Sequence, residues 1–271
     1  MKFSFTTLGC LDWDLDTILR RAREYGYHGV DFRGYLGELD LWNRSEFGVD
    51  RKITAARFAD AGIEVPCFSS SAAVFANPAE AETEVRVYVE LCSVFRSPFL
   101  RVFAGRLQGG ALAEAQRVAA DTLRRLAPVA ADHGVTLLVE THDDWVRSDV
   151  LRRLMEAVDS PAVGMVWDVH HPYRFGGEAP DFTWRELGRW IRYTHWKDSK
   201  PDPQKPGRVI GCLPGDGNLP LRQTFDVLKS GGYDGYLALE WERKWQPYLA
   251  PPEIAFPRFM DVMRSFGAVS P

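Results

Sequence analysis

The stretch that decides the fold is Val163–His171, VGMVWDVHH. Val163 to Trp167 are apolar or small, as a strand buried on both faces requires. The run then delivers Asp168, His170 and His171 together. A buried strand does not normally end in three groups that hold protons or metals. The same form recurs later and earlier in the chain. VTLLVE (Val135–Glu140) ends at Glu140, IRYTHW (Ile191–Trp196) carries His195, and GYLALE (Gly235–Glu240) ends at Glu240. KFSFTT (Lys2–Thr7), HGVDF (His28–Phe32), IEVPCF (Ile63–Phe68) and FLRVF (Phe99–Phe103) bring the β-rich runs to eight.

Helical spacing fills the intervals. Asp14 is placed to cap a helix whose Leu15, Ile18, Leu19 and Ala22 share one face and which stops at Gly26. Leu112 to His133 is a long Ala/Leu/Arg helix closed by Gly134. Ser148 opens a third, with Leu151, Leu154, Met155 and Val158 inside, and Pro220 to Ser230 gives a fourth, closed by Gly231-Gly232. Apolar strands alternating with helices imply parallel pairing, and eight such units in 271 residues imply an α/β fold of the (β/α)8 TIM-barrel type, one domain over 1–271. The competing doubly wound sheet announces a Gly-rich phosphate loop after its first strand, and TTLGCLDWD is not one. The Pro-rich segment KPDPQKPGRVIGCLPGDGN (200–218) reads as a long loop over the barrel mouth.

Composition narrows the function classes. The chain is 45% hydrophobic and 26% charged, with a net charge of −4 and no basic patch, which argues against nucleic-acid binding. No apolar run is long enough to span a bilayer. Cys10, Cys67, Cys92 and Cys212 form no CxxC pair and read as reduced thiols. The N-terminus reaches acidic residues too early for a signal peptide, so the expected location is cytoplasmic.

TIM-barrel sites collect at the C-terminal ends of the strands. Glu140, Asp168, His195 and Glu240 end four successive strands and so face one rim. Each alone has an ordinary reading: an ion-paired strand end for Glu140, an Asx turn before Pro172 for Asp168, a core histidine for His195, a pairing with Arg243 or Lys244 for Glu240. Four such accidents in a row are a poor explanation. Three acids this close resist ionisation, and a divalent cation among them relieves the repulsion. Oxygen donors with one nitrogen suit Mn²⁺, Mg²⁺, Co²⁺ or Zn²⁺, with Mn²⁺ the first expectation. His142 and Lys197, two residues beyond Glu140 and His195, and His171 face the same pocket on this reading. Arg174 and Glu178 sit on a loop over the mouth, placed to orient substrate hydroxyls or to pair with each other, and Trp13, Trp145, Trp196 and Trp241 are candidates for an apolar wall against sugar C–H faces.

VETHDDW, WDVHHPYRFGGE, THWKD, the GDG turn at Gly215–Gly217 and LEWERKW together resemble the xylose-isomerase-like TIM-barrel superfamily, the sugar phosphate isomerase/epimerase group. The resemblance implies one divalent metal on Glu140, Asp168, His195 and Glu240, and a substrate contact for His171. It places the HxKD motif on His195, Lys197 and Asp198. The epimerases carry an Arg soon after the metal His, where this chain has Pro201. An endonuclease branch of the family carries further His ligands, where this chain has Cys67-Phe68-Ser69 and Val102-Phe103-Ala104. The implied substrate is therefore a small carbohydrate. Glu140 and Glu240 are the expected acid/base pair, removing a proton beside a polarised carbonyl to give an enediolate. Return of the proton makes the enzyme an isomerase or epimerase; loss of a β-oxygen makes it a lyase, acting on a keto-sugar, keto-inositol or 3-keto-glycoside. A non-catalytic sugar-binding subunit is a third class. Dimers or tetramers are frequent among similar proteins, and WQPYLAPPEIAFPRFM is apolar enough to pack on something.

Overall fold

The computed structural model describes residues 1–268. Among the described residues there are ten strands: β1 (Lys2–Thr6), β2 (Gly29–Asp31), β3 (Cys67–Ala73), β4 (Phe99–Phe103), β5 (Thr136–Glu140), β6 (Val163–Asp168), β7 (Ile191–Trp196), β8 (Asp198–Pro201), β9 (Val209–Cys212) and β10 (Tyr236–Leu239). The helices are α1 (Leu15–Tyr25), α2 (Arg51–Ala61), α3 (Pro78–Phe95), α4 (Leu112–Asp132), α5 (Ser148–Val158), α6 (His171–Gly176), α7 (Pro180–Leu187), α8 (Leu221–Ser230) and α9 (Pro252–Ser265).

Eight strands pair in the order β2-β1-β10-β7-β6-β5-β4-β3, every pair parallel. Single bridges between Gly29 and Glu64 and between Phe32 and Phe68 bring the two edges together and close the barrel. The third strand differs from its expected Ile63–Phe68 span: regular pairing starts only at Cys67 and runs to Ala73. Pro66 accounts for the late start, since it has no N–H to place in a ladder. The segment 200–218 is also more ordered than a loop. β8 runs into it from Asp198 and pairs antiparallel with β9, Asp198 opposite Cys212.

Local signals set the boundaries. The Asp14 side chain accepts a hydrogen bond from the Thr17 N–H at 2.8 Å, and Gly26 (φ +83°) ends α1 in the left-handed conformation that glycine adopts without steric cost. Two cores result. Inside the barrel, Cys67, Leu138, Val166, Tyr193, Tyr236 and Ala238 pack across the axis. The outward residues of the same strands pack on the helices in a much larger cluster. Phe256 of α9 lies 4.5 Å, ring to ring, from Phe5 of β1. The apolar C-terminal segment therefore covers the chain's own first strand through Phe256, while its Trp245, Tyr248 and Ile254 stay exposed.

Candidate active site

Side chains alternate along a strand, so residues two positions beyond the inner core also face the axis. Applied around the barrel, that rule selects Thr6, Asp31, Ser69, Arg101, Glu140, Asp168, His195 and Glu240, one from each of the eight strands or the residue just past it. All eight are buried. A continuous polar layer thus sits on an apolar floor at the C-terminal ends of the strands.

The contacts within the layer are short and charged. His195 Nδ1 lies 2.6 Å from Glu140 Oε1 and 3.6 Å from Glu240 Oε1. Its other ring nitrogen, Nε2, lies 3.1 Å from Asp31 Oδ2. Asp31 can accept a hydrogen bond from Nε2–H while Nδ1 faces the two glutamates, an arrangement of the kind that orients a metal-binding histidine. Arg101 Nε is 3.2 Å from Glu140 Oε2. Burial disfavours charge on Glu140, but Arg101 and His195 outweigh it and hold the carboxyl below its ordinary range. On Glu240 burial wins over Lys197 and His195, and its carboxyl is pushed up.

Lys197 stands one step above the layer. Its Nζ is 2.9 Å from Asp168 Oδ2, 2.5 Å from Glu240 Oε2 and 2.9 Å from Glu242 Oε1. Burial opposes its charge, yet these three carboxylates hold the ammonium well above the ordinary lysine value. Asp168 also meets His171 Nε2 at 3.2 Å and accepts the His170 N–H at 2.8 Å. Strand alternation would keep only His170 on the Asp168 side and turn His171 away. The chain instead leaves the strand at once: His170 has helical φ and ψ of −80° and −48°, so α6 starts here and both imidazoles cluster beside Asp168. The His142 ring lies 4.5 Å from that of His171, tilted by 47°, and Asp143 and Glu140 raise its pKa against the effect of burial.

Of the remaining expected contacts, Trp13 lies elsewhere. Its indole is edge-on to Phe5 and Phe256 on the outer face of β1, and its Nε1 donates to Glu253. Trp145 and Trp196 are likewise core residues, their indole N–H groups bonded to Gly105 O and Thr194 Oγ1. Only Trp241 of those four lines the cavity of about 230 Å³ over the layer, with His170, His171, Lys197, Glu240 and Glu242. Arg174 does not pair with Glu178. It donates to Ser199 Oγ at 2.8 Å and Ser199 O at 2.6 Å, tying α6 to the β8–β9 hairpin, while Glu178 accepts from Ser148 N at 2.9 Å. A larger hollow, about 730 Å³, lies at the opposite end of the barrel around Lys2, Ile191 and Tyr236, remote from the acid cluster.

The donors fit a divalent cation. One ligand atom each from Glu140, His195 and Glu240 lies within 4.8 Å of the others, and Asp168 forms a second such group with His170 and His171. Glu140 Oε2, Asp168 Oδ2 and Glu240 Oε2 are buried and met by ion pairs alone, to Arg101 and Lys197. Carboxylates gathered this closely repel one another, and a divalent cation among them relieves the repulsion.

The family description "xylose isomerase-like TIM barrel" matches residues 19–265. The chain belongs to this family. Among curated xylose isomerase-like relatives, the inosose dehydratase of Geobacillus thermodenitrificans is 26% identical over 146 residues, 49% of this chain and 48% of that protein. The chain spans about half the length of the curated relatives it matches. The structure of IolI with a bound zinc atom aligns over 100% of both chains at 19% identity and a TM-score of 0.81. The 3-keto-D-glucoside 4-epimerase YcjR from E. coli aligns over 99% of this chain and 100% of its own, at 16% identity and a TM-score of 0.74. At such identities the two structures speak for the shared fold.

Asp31, Arg101, Ser69 and Thr6 complete the polar layer, and the sequence reading passed over them. A signal was present: Asp31 in HGVDF and Arg101 in FLRVF are single charges inside runs otherwise fit for burial.

Proposed function

We propose that the protein is a divalent-metal-dependent enzyme that removes a proton beside the carbonyl of a keto-sugar or related keto-polyol. The observation that carries this reading is the convergence of buried Glu140, His195 and Glu240, one ligand atom of each within 4.8 Å of the others, with Asp168 beside them in the same polar layer. Glu140, Asp168, His195 and Glu240 would hold the ion, which supplies Lewis-acid polarisation of a carbonyl when bound. Asp31 keeps His195 in the tautomer that leaves Nδ1 free for this. Lys197 holds a fixed positive charge beside Asp168 and Glu240, where negative charge on a substrate oxygen is stabilised without reorganisation.

Two outcomes share that first step. Glu140 and Glu240 come from different strands and reach His195 Nδ1 from different sides, an arrangement that suits removal of a proton by one and its return by the other, hence epimerisation or isomerisation. His142 favours elimination as the second reading. Its raised pKa suits it to carry a proton and give it to a departing hydroxyl, and the curated relatives, matched over about half their length, are inosose dehydratases. Turnover of keto-sugars and keto-inositols in ²H₂O with added Mn²⁺ tests both. Epimerisation or isomerisation incorporates deuterium without losing water; elimination lowers product mass by one water. Failure of every keto-substrate to exchange its α-proton under Mn²⁺ refutes the proposal.

A further inference from the structure

Arg33 stands two residues beyond Asp31, on the same axis-facing side and just above the polar layer. It is only 7% exposed. Its side chain makes a single hydrogen bond, Nη2 to Ser71 Oγ at 3.0 Å, and Nη1 is buried with no partner. Among the described residues no carboxylate forms an ion pair with it. Glu84, the carboxylate bound to its partner Ser71, accepts the Ser71 N–H at 2.6 Å and forms no ion pair with Arg33. Burial disfavours the Arg33 charge and a second buried guanidinium, Arg101, adds to that, and together they outweigh the more distant favourable influence of Glu84 and Glu240. Arginines are rarely buried unless paired, because the charge loses its hydration and gains nothing in return. Arg101 has its carboxylate in Glu140; Arg33 has none.

We infer that Arg33 is the binding point for a carboxylate carried by the substrate, so that the enzyme acts on an acidic keto-sugar or keto-polyol in preference to a neutral one. This deepens the function proposed above and rests on it for the identity of the reacting part. A carboxylate matches the planar guanidinium in two-point geometry. It would replace the missing partner of Nη1 and offset two adjacent positive groups at once. Ser71 holds Nη2 in place, so the guanidinium is oriented before the ligand arrives.

The test uses two matched pairs that differ by one carboxylate, D-glucuronate against D-glucose and D-galacturonate against D-galactose, with D-glucose 6-phosphate as a further arm. Binding to the whole chain is measured by calorimetry at fixed ionic strength with and without Mn²⁺, and needs no turnover. The expected result is at least tenfold tighter binding of one of the acids than of its neutral partner, reduced to within twofold in Arg33→Gln and partly kept in Arg33→Lys. Thermal unfolding of the variants establishes that they fold. No preference for either acid, undetectable binding of both acids included, overturns the inference, as does a preference that survives in folded Arg33→Gln. Tighter binding of the phosphate ester than of both acids overturns the choice of carboxylate. Mn²⁺ binding, followed separately by electron paramagnetic resonance, reports on the metal site alone. Its loss with the acid preference intact sinks the proposed chemistry and leaves the Arg33 site standing.

Discussion

Replacing Asp31 by Ala isolates the device that aims His195. The carboxylate of Asp31 is fully buried, and its Oδ2 meets His195 Nε2 at 3.1 Å. With Asp31 gone, Nε2 loses its acceptor, and the imidazole is free to place its proton on Nδ1, 2.6 Å from Glu140 Oε1. A protonated Nδ1 has no lone pair for a metal. Loss of such an orienting partner costs about 10–100-fold in metal affinity, or about 1.4–2.7 kcal/mol. The removed charge-assisted hydrogen bond also costs fold stability, about 1.5–3 kcal/mol. The two effects are separable by titrating Mn²⁺ into the folded variant, using electron paramagnetic resonance to count free ion and circular dichroism to verify the fold. An Asp31→Ala protein that is folded and binds Mn²⁺ within twofold of the parent would refute the reasoning, because Asp31 would then be merely a buried acid beside the site.

Other expectations concern the ring as a whole. Glu240→Gln keeps the shape and removes an ionisable group, so it should abolish turnover of any keto-substrate while unfolding temperature and circular dichroism stay near the parent's; retained turnover takes Glu240 out of the chemistry. Mn²⁺ at a hundred times its dissociation constant should stabilise the native state by about 2.7 kcal/mol, visible in thermal scans as a rise that a chelator reverses. Lys197→Met leaves Asp168, Glu240 and Glu242 without their common cation; metal-free protein should lose about 3–5 kcal/mol of stability. Saturating Mn²⁺ should recover much of that loss. A Lys197→Met protein equally destabilised with and without the ion would mean that lysine and metal do not share the same field.

Legibility in the sequence followed how local the determining physics is. The spans of β4, β6 and β7 could be read directly, because continuous apolar runs bounded by turn residues have no other stable use. The ends of α1 were equally plain, since Asp14 and Gly26 act within a few residues of themselves. β3 was misplaced because apolar character alone does not register the missing N–H of Pro66. The hairpin within 200–218 was hidden by its three prolines and exposed tip, which resemble an unstructured loop in composition. Glu140, Asp168, His195 and Glu240 stood out because each interrupts an apolar run where a barrel has its mouth. Asp31 and Arg101 were equally anomalous, but their meaning depends on partners 164 and 39 residues away, His195 and Glu140, and no local pattern encodes that pairing. Trp13 shows the reverse error: a large aromatic near the mouth in sequence lies on the other side of the barrel wall in space.

Asp198, three residues after His195, accepts backbone N–H groups from Ser199, Gly215 and Gly217 at 2.8, 2.9 and 3.0 Å. A side chain at Gly217 would place its first carbon 2.0 Å from Asp198 Oδ1, so only glycine closes this knot. The excursion from 200 to 214 is thereby pinned at its root, beside the wall that holds the ring, and its outer turn around Gln204–Gly207 bears no part of that fastening. Such a tether separates two evolutionary tasks. The turn can be lengthened, shortened or recoded to admit a different sugar, and the reacting groups below would keep their positions through the exchange.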